Sequence, residues 1–239
     1  MVDFGSVLPK LRQSLRRDLA RRGLPREKVV AVIVSMLDST RARIGNPEYA
    51  RQNSFGLSTL RNRHVKFIRD GRALLRFRGK GGVQHEIVVN DKRLARLVRR
   101  CQELPGQQLF QYVDDEGGRC PVGSADVNDY LRATTGGEFT AKDFRTWGAT
   151  MKAVLLLSRT PLPRNPSERA FRIAMARVVR RVAEELNNTP AVCRKSYINP
   201  AVFDAWRSGR LQRVLNGNLS SLTLVKAERK IRSFLKRLP

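Results

Sequence analysis

From residue 57 to residue 90 the chain stops reading as helix and starts reading as strand, and no purely helical fold accommodates that change. His64-Val65-Lys66-Phe67-Ile68-Arg69 and Ala73-Leu74-Leu75-Arg76-Phe77-Arg78 flank Asp70-Gly71, a pair that favours the tight turn of an antiparallel hairpin. A second turn, Gly79-Lys80-Gly81-Gly82, leads into Val83-Gln84-His85-Glu86-Ile87-Val88-Val89. The pattern predicts a meander of three antiparallel strands. Lys80 then stands on a hairpin tip between glycines, which leave its long side chain room to enter a groove. Taken alone, a lysine on such a tip is an ordinary solvated group.

The flanking segments carry helical spacing. Residues 7–22 place Leu8, Leu11, Leu15 and Leu19 on one stripe among five arginines, and Gly23 closes the helix. Pro25 opens a second helix with Val29, Ile33, Met36, Leu37 and Thr40 on one face. Gly45 and Asn46 stop it near Arg43, which places that cation at a helix end. Residues 91–103 and 122–133 read as helices separated by a loop around Asp114-Asp115-Glu116-Gly117-Gly118. Thr140 and Asp143 form a capping-box start, with Phe139 and Phe144 placed as a staple, for a helix reaching about Ser158. Arg145 lies in its second turn, near the positive end of the helix dipole. Asn165-Pro166-Ser167-Glu168 caps the next helix, whose core seam is Phe171, Met175, Val178, Val182 and Leu186. A short helix over Val202–Arg207, a Gly/Asn/Ser linker at 216–221 and a basic helix from Thr223 to Lys236 complete an α+β, mainly helical chain.

Charge narrows the function. With 47 Lys and Arg against 21 Asp and Glu, the formal net charge is +26 across 239 residues. Such a charge repels itself in the folded state and calls for a polyanion. Nucleic acid is the first candidate, because each neutralised phosphate releases condensed counterions. No apolar run reaches the ~18 residues of a membrane span, and no signal peptide is present. Cys101, Cys120 and Cys193 are widely spaced and belong to no C-x-x-C pair, so neither a disulfide framework nor a zinc site is indicated. There is no Walker-type loop for ATP, and His64 and His85 are the only histidines. The expected setting is intracellular and reduced.

The chemistry concentrates in Asn188-Thr189-Pro190-Ala191-Val192-Cys193-Arg194-Lys195-Ser196-Tyr197. A phenol titrates near pH ~10 and is a poor nucleophile unless positive groups favour the phenolate. Arg194 and Lys195 begin to supply that field, and three cations far upstream are placed to complete it. Read alone, the stretch is a surface tyrosine in a basic loop.

Several segments together resemble the catalytic domain of a type IB DNA topoisomerase of the bacterial and poxvirus-like branch. Ala42-Arg43-Ile44-Gly45-Asn46 is similar to that family's first-arginine segment. Phe55-Gly56-Leu57-Ser58-Thr59-Leu60 and Asn62-Arg63-His64-Val65 resemble the entry to its small sheet. Phe77-Arg78-Gly79-Lys80 resembles the hairpin of its catalytic lysine, and Lys142-Asp143-Phe144-Arg145-Thr146-Trp147-Gly148 the segment of its second arginine. Asn188-Thr189-Pro190, nine residues before Tyr197, resembles the final pair.

The resemblance implies the DNA breaking-rejoining fold shared with tyrosine recombinases, and relaxation of supercoiled DNA through a 3′-phosphotyrosyl intermediate without ATP. It implies catalytic roles for Tyr197 as nucleophile, Lys80 as general acid, and Arg43, Arg145 and Asn188 as phosphate-binding groups. Lys142 is a possible accessory. DNA contacts are implied for Arg61, Arg63, His64, Arg78, Gln84, His85, Arg194 and Lys195. No metal and no cofactor are implied. The implied partner is double-stranded DNA, with no membrane, and the protein is expected to be a cytoplasmic monomer, nucleoid-associated if bacterial. Two departures stand out. Asn188 occupies a position that is commonly histidine, so it donates a hydrogen bond but brings no charge. The family's usual N-terminal β-rich clamp domain is also expected to be missing, with residues 1–239 forming the catalytic domain alone. A tyrosine recombinase or integrase is the nearest rival; recombinases typically carry histidine where this chain has Lys142. A non-catalytic basic DNA-binding protein is the second alternative.

Overall fold

The computed structural model describes residues 1–163, 167–215 and 218–238. They divide into two compact units, one of residues 7–144 and one of residues 1–6 with 145–239. None of the described helices is long and apolar enough to cross a membrane.

In the first unit, α1 (Val2–Leu19, whose first residues belong to the second unit) is followed by α2 (Arg26–Thr40) and α3 (Pro47–Arg51). The strands β1 (Val65–Phe67), β2 (Ala73–Arg78) and β3 (Gln84–Val89) form an antiparallel sheet in the order β1-β2-β3. The meander is the one expected, but its first turn is longer than the two-residue Asp70-Gly71 pair. Phe67 pairs with Ala73, the Ile68 N–H bonds the Arg72 carbonyl at 3.0 Å, and of the two turn residues Gly71 takes a positive φ, 82°, while Asp70 does not. Then come α4 (Lys92–Gln102), β4 (Gln111–Val113), β5 (Arg119–Pro121) and α5 (Ser124–Thr135). β4 and β5 make a hairpin where the sequence reads as loop; each strand has three residues, too few for alternation to show. Asp114 closes its turn, accepting from the Gly118 N–H at 2.6 Å.

α2 is the centre of this unit. Every residue from Lys28 to Val34 is buried, and α4, α5, β3 and β4 all pack against it. The single apolar face expected for α2 is therefore too narrow: a helix that is apolar all round belongs inside. Lys28, 3% exposed, donates its ammonium to the Arg21 carbonyl. Burial pushes its pKa down, and the nearby Arg100 and Arg93 act in the same direction. α2 also ends earlier than expected. The Thr40 hydroxyl bonds the Met36 carbonyl at 2.6 Å, and Arg41 turns left-handed at φ 55°. Arg43 thus lies beyond the helix in an extended segment, not at its end.

α1 starts at Val2 because Phe4 is fully buried. Gly5 admits the Trp147 ring, which a Cβ there would meet at 2.5 Å. Pro9 sits inside α1 and has no N–H to give the Gly5 carbonyl; Arg232 donates to that oxygen instead, at 3.3 Å.

The second unit consists of α6 (Ala141–Ser158, whose first four residues belong to the first unit), α7 (Glu168–Glu185), α8 (Pro190–Ser196), α9 (Ala201–Arg207), α10 (Arg210–Leu215) and α11 (Leu224–Leu235). α6 begins where expected, with half of the capping box formed. The Thr140 N–H donates to Asp143 at 2.8 Å, while the Thr140 hydroxyl donates to the same carboxylate at 3.1 Å and the Asp143 N–H bonds the Thr140 carbonyl. Ser167 caps α7 by accepting from the Ala170 N–H; Asn165 and Pro166, expected at that cap, lie outside the described residues. So do residues 216–217 of the expected linker, while 218–221 form a 3₁₀ turn. α9 docks on α7 through Trp206, which is fully buried, donates to the Thr160 carbonyl and meets the Phe171 ring edge-on at 5.6 Å.

Two buried polar groups in the first unit bear on its stability. Asp18, 1% exposed, accepts from Tyr130 at 2.8 Å, Arg21 at 3.1 Å and Arg17 at 3.2 Å. Burial pushes its pKa up, but those three donors outweigh burial and hold it below the ordinary carboxylate value. Tyr130→Phe deletes one donor from a buried carboxylate and should cost about 1–3 kcal/mol of unfolding free energy, read from the urea midpoint. His64, 8% exposed, accepts at Nδ1 from the Arg61 N–H at 3.0 Å and packs its ring edge on Phe55. Burial, with Arg63 and Arg61 beside it, lowers its pKa to about 4 from 6.5. Between those values the unfolded chain binds a proton that the folded chain refuses, so stability is full above about pH 6.5 and is lost as pH falls toward 4. The melting temperature should drop across that window, and His64→Asn, which keeps an acceptor near Nδ1 but cannot titrate, should flatten the drop. An unchanged slope in the variant would remove His64 as its cause.

Candidate active site

In the first unit, backbone contacts hold the segment that carries Arg43. Its carbonyl accepts from the Leu57 N–H at 2.9 Å, and the Ile44 carbonyl accepts from the Ser58 N–H at 2.7 Å and the Ser58 hydroxyl at 3.0 Å. Gly56 makes this approach possible. A Cβ there would lie 2.4 Å from the Gly45 nitrogen and 2.7 Å from the Arg43 carbonyl oxygen, so any side chain at 56 displaces the arginine segment.

Lys80 is exposed in the turn between β2 and β3, which the Gly79 N–H closes on the Val83 carbonyl at 2.7 Å. His85 faces Phe77 across the two strands and stacks on it, with centroids 5.0 Å apart and 7° between planes. Its Nε2 would be 2.5 Å from a Cβ at Gly79. At 6% exposure His85 is an internal support for the lysine turn. His64, likewise buried, supports the entry to β1. The fold thus gives both histidines packing roles that a motif cannot reveal. Of the other candidate DNA contacts in this unit, Arg63, Arg78 and Gln84 are exposed and Arg61 is half-buried over the Phe55 ring. Lys142 is exposed in the first turn of α6.

In the second unit, the fifth residue of α6 brings Arg145 inside, to 3% exposure. Its Nη2 donates to the Leu186 carbonyl at 3.1 Å, at the C-terminal and therefore negative end of α7. α7 ends in a Schellman motif. Asn187 turns left-handed at φ 46°, its N–H bonds the Glu184 carbonyl, and the Asn188 N–H bonds the Ala183 carbonyl at 2.9 Å. That cap sets the direction of Asn188, whose buried Nδ2 has no acceptor among the described residues. Thr189 caps α8 by accepting from Val192, Pro190 follows at its first position, and seven helical residues later Tyr197 ends the helix. The Arg145 guanidinium lies over the Tyr197 ring, 4.9 Å from its centroid.

Thr150 escapes any reading of motifs. It is fully buried on α6, and its hydroxyl donates to the Tyr197 carbonyl at 3.2 Å and accepts from the Asn199 N–H at 3.1 Å. One helix therefore supplies both the cation over the ring and the hydroxyl that pins its backbone. Arg194 and Lys195 are exposed on α8 and line a cavity of about 700 Å³ with Arg207, Asp204 and an apolar floor of Met175 and Phe203.

The environments of the tyrosines differ. Burial and the hydrogen bond to Asp18 push the Tyr130 phenol well above its ordinary pKa. Tyr112 is also pushed up, by burial and by Cys120. The Tyr197 ring instead faces the Arg145 guanidinium.

Comparison with known proteins bears on this arrangement. A family model described as the eukaryotic DNA topoisomerase I catalytic core matches residues 1–209. The DNA topoisomerase 1B of Acanthamoeba polyphaga mimivirus is 33% identical over 204 residues, covering 83% of this chain. The chain spans about 60% of the length of that relative. A match over most of the chain, reaching past the tyrosine and both of its supporting helices, makes this protein a member of the type IB DNA topoisomerase family through its catalytic core.

Proposed function

We propose that the protein relaxes supercoiled double-stranded DNA by transient cleavage of one strand, acting as a cytoplasmic monomer. The observation that carries the reading is the Arg145 guanidinium over the ring of a tyrosine whose backbone Thr150 holds. The Tyr197 phenol gives its proton to solvent as its oxygen attacks a phosphodiester, the bond from phosphorus to the 5′-oxygen breaks, and the chain is left joined to the 3′-phosphate. Lys80 gives a proton to the departing 5′-oxygen. Negative charge gathers on the non-bridging oxygens of the transition state, where Arg43 and Arg145 act as planar two-pronged donors. The Asn188 Nδ2, without an acceptor among the described residues, supplies a neutral hydrogen bond. The phosphotyrosine keeps the energy of the broken bond, so resealing is the reverse reaction and needs no ATP. Arg61, Arg63, Arg78, Gln84, Arg194 and Lys195 are the proposed duplex contacts, because their side chains reach solvent.

Incubation with supercoiled plasmid in EDTA without ATP should yield a ladder of relaxed topoisomers. Site-specific strand joining would point instead to a recombinase, and a gel shift with unchanged linking number to plain binding. Tyr197→Phe should abolish the denaturant-resistant adduct while DNA binding persists; an adduct in that variant would move the nucleophile elsewhere. Arg145→Lys keeps the charge but loses the planar fork. It should lower relaxation by about 10²-fold or more, within the range seen when a transition-state donor is removed, and near-normal turnover would take Arg145 out of the site.

A further inference from the structure

Among the described residues Lys80 forms no ion pair; its ammonium lies instead 5.5 Å from the ring centroid of Tyr49. Tyr49 is 44% exposed on α3, a helix of five residues started by Asn46, which accepts from the Glu48 N–H, and by Pro47. The Tyr49 carbonyl accepts from the N–H groups of Gln52 at 3.0 Å and Ser54 at 2.9 Å. The next residue, Phe55, donates to the Arg78 carbonyl at 2.7 Å, two residues before Lys80. Ring and ammonium are therefore carried by backbone segments bonded to each other. The same segment begins at Arg43, so α3 joins one proposed phosphate ligand to the ring that touches the proposed acid.

We infer that Tyr49 is a positioning residue for Lys80: the face of its ring holds the ammonium at the turn, ready for the leaving oxygen. The inference rests on the reading of Lys80 as the general acid. The partner's chemistry suits that task. A carboxylate would hold the ammonium more strongly, but it would accept the proton and repel the incoming phosphate. An aromatic face attracts a cation through its quadrupole, brings no net charge and takes no proton. In the step itself the proton passes from Lys80 Nζ to the 5′-oxygen as the phosphorus–oxygen bond breaks, and Tyr49 forms and breaks no bond.

The test compares single-turnover cleavage of two duplexes, one ordinary and one with sulfur bridging at the 5′ position, which leaves as a thiolate without needing an acid. Tyr49→Leu should slow cleavage of the ordinary duplex about fivefold, the upper scale of one exposed cation–π contact. It should leave the sulfur duplex within about twofold of the unaltered protein, and Tyr49→Phe, which keeps the ring, should cleave both normally. Equal slowing of both duplexes by Tyr49→Leu would make Tyr49 a general DNA contact and overturn the inference. So would a Tyr49→Phe variant as slow as Tyr49→Leu, or a Tyr49→Leu variant that is not slowed. Lys80→Ala serves as the reference. If sulfur fails to rescue it, the role of Lys80 falls; if sulfur rescues Lys80→Ala while Tyr49→Leu slows both duplexes alike, only the role of Tyr49 falls.

Discussion

The second unit is arranged around a cation it can scarcely afford to bury. Arg145 is 3% exposed, and removing a guanidinium from water costs several kcal/mol unless polar partners replace the hydration. The Leu186 carbonyl provides one partner, with the negative pole of α7 behind it. The Tyr197 ring provides a second, softer one. Both partners have to be at the right place for the cation to stay inside, so the end of α7, the length of α8 and the position of Tyr197 are bound to one another. The left-handed turn at Asn187 is part of the same device, because it ends α7 with its carbonyls satisfied while sending the chain toward α8.

The first unit handles its cations differently. Arg43 and Lys80 sit on extended or turn segments near solvent, where desolvation is small and position is the difficulty. Position comes from close backbone approach: Gly45 against Gly56, and Gly79 against the His85 ring. These contacts leave no space for a side chain, so they act through steric exclusion and do not weaken with salt, unlike the ion pairs on the surface. In a chain of formal charge +26 that independence matters, since surface electrostatics change with every change of ionic strength.

The histidines illustrate how a site can be supported from within. His64 and His85 stand beside candidate site segments in the sequence and read there as contacts for DNA. Burial turns both inward, and each stacks or packs on a phenylalanine at the root of the sheet. The neutrality of His64 is part of the arrangement: a protonated His64 loses the acceptor that holds the Arg61 N–H.

Local chemistry was legible in the residues. Asp70-Gly71 dictates a hairpin, Thr140 with Asp143 starts a helix, and Thr189-Pro190 starts another seven residues before the tyrosine, because each is decided by bonds between neighbours in the chain. The candidate residues of the site were legible for the same reason, as short segments in a fixed order. What depends on distant pairs was not. That α2 is buried on all sides follows from what surrounds it, and periodicity reports the direction of an apolar face but not how many neighbours cover the other faces. The early start of α1 depends on the burial of Phe4, and the hairpin of β4 and β5 is too short to leave a pattern. Thr150 beneath Tyr197 and Tyr49 beside Lys80 are joined across 47 and 31 positions of the chain. A threonine and an exposed tyrosine carry no mark of such partnerships in the sequence; tertiary packing alone brought them there, since the bonds they make are between residues that only the folded backbone places within reach.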